Sequence, residues 1–73
     1  MNRNAAKVYE DGRGWRFKVM GGLGENTYKA RYQKPGKSGW HCVAVLPWRI
    51  NEATAQADLD DYARSHNMRE IEP

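Results

Sequence analysis

One cysteine, Cys42, is the only thiol in this 73-residue chain, so neither an intramolecular disulfide framework nor an all-cysteine zinc site can be built from it. Such sparing use of cysteine predicts a cytoplasmic protein. Long apolar runs are also missing. The opening residues MNRNAAKVYEDGRG contain no signal-peptide core, and no stretch elsewhere is long enough to cross a bilayer. The one good helical pattern has an acidic polar side, which excludes a basic membrane-surface helix. GGLGEN at 21–26 lacks the lysine and hydroxyl that grip a nucleotide, so it is read as a hairpin turn and not as a phosphate loop. Asp58, Asp60 and Asp61 fall inside a continuous helical pattern without the central glycine of a calcium loop. His41, Cys42 and His66 are too few and too scattered for zinc. His41 and Cys42, neighbours in a predicted strand, point to opposite faces and cannot act as a nucleophile and its base. With so little chain to enclose a deep pocket, a binding module without cofactor or metal is expected in preference to an enzyme.

Charge of one sign is scarce by region. Residues 1–49 carry ten Lys or Arg against three acids, whereas residues 50–73 carry two against six. The net charge of +3 therefore conceals a basic first part and an acidic last part, an asymmetry that bears on electrostatic partners.

GWRFKV at 14–19 and TYKARYQ at 27–33 alternate aromatic or small apolar residues with cations, the period of a half-buried strand. Trp15, Phe17 and Val19 then oppose Arg16 and Lys18, and Tyr28, Ala30 and Tyr32 oppose Lys29 and Arg31. A third strand is predicted over 40–46, with Trp40, Cys42, Ala44 and Leu46 on the core side and His41, Val43 and Val45 on the other. Glycines at 21, 22 and 24 and the KPGKSG segment mark the intervening reversals. Pro47 ends the third strand. NEATAQADLDDYARSH at 51–66 predicts a helix capped by Asn51, with Ala55, Leu59, Tyr62, Ala63 and His66 on its inner side and Asn67 at its end. The expected fold is α+β, a three-stranded antiparallel β-meander packed on one C-terminal α-helix. It divides into a flexible basic arm at 1–13 that includes Arg3, Lys7 and Arg13, a single β-β-β-α domain at 14–68 and a short tail at 69–73.

A single helix covers one face of such a sheet and leaves the other open. Arg16, Lys18, Lys29, Arg31 and His41 are expected on that open face, with Lys34 and Lys37 on the hairpin beside it. Clustered cations of this kind neutralise phosphate, so nucleic acid is the expected partner: duplex DNA first, RNA as an alternative. Alternating charge on an exposed sheet also serves solubility and edge protection. A second reading takes Val43, Val45 and Trp48 as an apolar strip for a protein partner or a second copy of the chain.

The three strand runs GWRFKV, TYKARYQ and GWHCVAV followed by the helix NEATAQADLDDYARS, over about residues 14–66, resemble in order the small amino-terminal DNA-binding domains of some tyrosine recombinases. They are similar in outline to plant-type three-stranded-sheet DNA-binding domains as well. The resemblance implies a sheet that enters the major groove, with Arg16, Lys18, Lys29, Arg31 and His41 on the reading surface.

Overall fold

The computed structural model describes residues 7–22 and 27–71. Five strands and one helix follow in order: β1 (Val8–Glu10), β2 (Arg16–Gly21), β3 (Tyr28–Gln33), β4 (His41–Cys42), α1 (Glu52–Ser65) and β5 (Arg69–Ile71). They form one antiparallel sheet in the order β4-β3-β2-β1-β5, which replaces the expected three-stranded meander. The two extra strands come from segments read as arm and tail. Each is three residues long, too short to show alternation, and each is stabilised by the other: Val8 faces Ile71, Tyr9 faces Glu70 and Glu10 faces Arg69. Arg3 of the expected arm and residues 23–26 of the expected glycine turn lie outside the described residues.

Alternation does set the central hairpin. Phe17, Val19 and Ala30 are buried together with Val43, Ala55 and Leu59, and Leu59 is fully enclosed. Ala30, Ala55 and Ala63 let the helix lie close to the sheet, so this small core is built from short side chains ringed by partly buried Tyr9, Trp15, Tyr28, Tyr32 and Tyr62. Trp15 stacks on Tyr32 with ring centroids 5.2 Å apart.

Local devices fix the ends of these elements. Asp11 closes the β1–β2 turn by accepting from the Arg13 amide at 2.9 Å, the Trp15 amide at 3.0 Å and the Arg13 guanidinium at 2.7 Å. Burial pushes its carboxyl up, but these bonds outweigh burial and hold it below the ordinary value. Asn51, in extended conformation, accepts from the Thr54 amide at 2.8 Å and so satisfies one of the helix's free donors. At the other end Asn67 adopts a left-handed φ of 56°. The Met68 amide donates to Ala63 O and the Asn67 amide to Arg64 O, a Schellman ending that turns the chain directly into β5.

Two long-range polar contacts seat the helix on the sheet. Arg49 exchanges both backbone hydrogen bonds with Tyr28 at 2.8 Å while its guanidinium grips Asp58 at 2.7 and 3.1 Å. The Tyr9 hydroxyl donates to Asp60 at 2.6 Å. Burial, then this bond, pushes the Tyr9 phenol up to about 12. A raised folded-state value means the stabilisation is whole below the unfolded phenol's value near 10 and is lost as pH rises through about 12. Tyr9→Phe is accordingly expected to cost about 1–2 kcal/mol near pH 8, and to remove part of the wild type's decline in urea midpoint above pH 10.

Candidate nucleic-acid interface

The strand register determines what the helix-free face displays. Arg31 lies between Lys18 and Cys42 across β2, β3 and β4. One step along, Gln33, Arg16, Glu10 and Arg69 line up across β3, β2, β1 and β5. On the other side of the Lys18 row, Met20 pairs with Lys29. Four of the sequence-expected cations, Arg16, Lys18, Lys29 and Arg31, therefore share one face.

They are not equivalent there. Glu10 accepts from Arg69 and, at 3.4 Å, from Arg16. Its hydrogen bonds to Arg69 and then Arg16 hold its carboxyl below the ordinary range, so one carboxylate offsets part of the charge of the two arginines in that row. Lys18, Lys29 and Arg31 have no carboxylate partner among the described residues. Aromatic rings stand beside them instead. Lys18 Nζ lies 4.7 Å from the Trp40 ring centroid, Lys29 Nζ 5.1 Å and Arg31 Cζ 5.9 Å from that of Trp48. Such contacts stabilise by about 1 kcal/mol each but leave the cation's charge uncompensated. Trp48 covers Lys29, which is only 8% exposed, and the Arg31 Nε is buried with no acceptor among the described residues.

Two expected positions are corrected. His41 is paired with Tyr32 and its ring sits 5.6 Å from the Tyr32 ring, which places it on the helix side of the sheet and off the cationic face. Val43 is a core residue, 5% exposed, and not part of an open apolar strip. The physical reason is the brevity of β4: after Cys42 the Val43 amide donates to Ala30 O, and the chain turns at once, with Leu46 N donating to Val43 O. Side-chain parity within β4 is thus the reverse of the expected one. Trp40 joins the cationic face and leaves the core. Val45, 74% exposed, borders a shallow groove with Trp15 and Tyr62, whereas Trp48 stands among Lys29 and Arg31. The three residues read as one protein interface are thus dispersed.

Lys34 and Lys37 occupy the exposed β3–β4 loop, whose turn places Gly36 at φ +78°. With Arg16, Gln33 and Glu10 they line a depression of about 390 Å³. Lys34 Nζ also lies 5.2 Å from the Trp15 ring centroid, and Arg13 Cζ 3.8 Å from it. Both lysines therefore flank one end of the cationic face.

No family model, curated protein or solved structure matches this chain. The functional argument therefore rests on the face itself. The described residues contain no group of three or more His, Cys, Asp or Glu able to hold a metal ion, and no helix long and apolar enough to cross a membrane. The three aspartates of the helix have partners of their own: Asp58 with Arg49, Asp60 with Tyr9 and Gln56, and Asp61 with Arg64. Sequence reasoning missed the tryptophans of the cationic face. The available signal was the WHCVAVLPW segment, which is apolar at both parities and so admits either orientation.

Proposed function

We propose that this protein is a small nucleic-acid-binding module that lays its helix-free sheet face along a phosphate backbone. The observation that carries the reading is the row of Lys18 and Arg31, beside Lys29, interleaved with Trp40 and Trp48 and lacking any carboxylate partner among the described residues. Uncompensated, partly desolvated cations are costly, and an anion laid against them offsets that cost. Lys34, Lys37 and Arg16 extend the positive surface toward the loop, and the helix acids lie on the far side. Five strands spaced about 4.8 Å apart make a face of roughly 19 Å between outer strands, wider than a major groove of about 12 Å. Duplex DNA on this surface is accordingly contacted through its phosphates, without the whole sheet sinking into the groove.

The test is a titration of labelled duplex and single-stranded oligonucleotides at 50 to 200 mM salt, read by anisotropy. With about five phosphates neutralised, the affinity is expected to fall several-hundred-fold across that range for duplex DNA. Absence of binding at the lowest salt, or binding indifferent to salt, overturns the reading.

A further inference from the structure

Trp48 is the residue whose placement the phosphate reading leaves unexplained. A tryptophan that is 49% exposed buries less apolar area than its size allows, yet its position is fixed from both sides of the chain. Arg49, the next residue, is locked by its two backbone bonds to Tyr28 and its clamp on Asp58, and Pro47 precedes it. The indole also lies over Gly22, where an added Cβ would come within 2.9 Å of its Cζ3. Glycine at that position makes the space in which the ring rests. Lys29 and Arg31 both stand within 6 Å of its centroid. An exposed aromatic face held rigidly beside two cations has the composition of a nucleotide subsite: a π-surface for a base and charge for the adjoining phosphate. Trp40 with Lys18 at 4.7 Å repeats the same pairing on the same face.

Resting on the nucleic-acid reading above, we infer that the ligand is an unpaired DNA strand, with one base stacked on the outer face of Trp48 and its phosphate against Arg31, while Lys29 stays beneath the indole. Bases within a duplex already have both faces covered, and exposing one costs unstacking energy. An unpaired strand offers its base faces without that cost. The strand is taken as DNA in keeping with the DNA reading on which the inference rests, and the matching RNA is measured beside it.

The experiment measures the whole chain, wild type and variants, against a thymidine oligonucleotide of about twelve residues, its duplex with adenine, and the matching uridine RNA, at one low salt concentration. Indole fluorescence and anisotropy are recorded together, and thermal melts confirm that each variant is folded. Wild type is expected to bind the single DNA strand more tightly than the duplex, with its fluorescence quenched on binding. Trp48→Ala is expected to weaken that binding about 10-fold or more, with Trp48→Phe restoring most of it, while duplex affinity changes less than about 2-fold. Should duplex and single strand bind alike and Trp48→Ala leave both unchanged, the stacking inference falls and phosphate binding stands. Should nothing bind, both fall. Tighter binding of RNA than of DNA overturns the assignment of the strand.

Discussion

Val43→Asp unfolds the domain. Val43 is packed with Phe17, Val19, Ala30, Ala55 and Leu59 at 5% exposure, and none of these core neighbours is a cation that could compensate a carboxylate. An unpaired charge in such a place costs several kcal/mol even after partial protonation. A domain of this size has a total stability of only about 5 kcal/mol to set against that. Far-ultraviolet circular dichroism is expected to show loss of structure at 25 °C, and a thermal scan no cooperative transition. Val45→Asp, two positions on but 74% exposed, is expected to shift stability by less than about 0.5 kcal/mol. A Val43→Asp protein that melts like wild type would place residue 43 on the surface and refute the described course of the chain after β4.

Reversing both charges in Lys18→Glu, Arg31→Glu is expected to weaken nucleic-acid binding at least about 100-fold at 100 mM salt, and to reduce the salt slope by about 2. The two side chains are cross-strand neighbours on the open face, so the substitutions replace two phosphate contacts by two repulsions in the middle of the proposed surface. Lys18→Gln, Arg31→Gln should fall between wild type and the reversed pair, which separates lost attraction from added repulsion. Arg64→Glu is the control: Arg64 pairs with Asp61 on the helix, behind the sheet, and its reversal is expected to change affinity less than about 2-fold. Equal losses from the control and the double variant would show that total charge, and not this face, governs binding.

Sequence pattern reached part of this architecture for definite reasons. In β2 and β3 every second residue is apolar and, Met20 apart, its neighbours are charged or polar, so one orientation buries Phe17, Val19 and Ala30, and Lys18 and Arg31 follow onto the opposite face. The helix was equally legible, since Asn51 carries a capping side chain and Ala55, Leu59 and Ala63 recur at helical spacing. The segment at 40–46 offers no such choice: Trp40, Cys42, Ala44 and Leu46 make one apolar face, Val43 and Val45 another. The turn after Cys42 decides between them, and that turn depends on a bond to Ala30 that is distant in sequence. β1 and β5 were illegible for a related reason, because three-residue strands acquire their identity from the strands they pair with and not from their own pattern. The partly compensated Arg16–Glu10–Arg69 row, invisible without β1 and β5, redistributed the candidate site toward Lys18, Lys29 and Arg31. The burial of Lys29 required knowing that Trp48 folds back over it.

The pairing of β1 with β5 has a further consequence for how the chain comes to be folded. Glu10 and Arg69 touch although 59 positions apart in sequence, and Tyr9 reaches Asp60 at a separation of 51. The β2–β3 hairpin closes only a short loop and can form early, whereas the outer edge must wait for α1 to traverse the sheet and deliver β5. During synthesis β1 therefore emerges first yet acquires its outer neighbour last. Until then its outer edge has open donors and acceptors, the interval in which a nascent chain is most prone to pair with another copy.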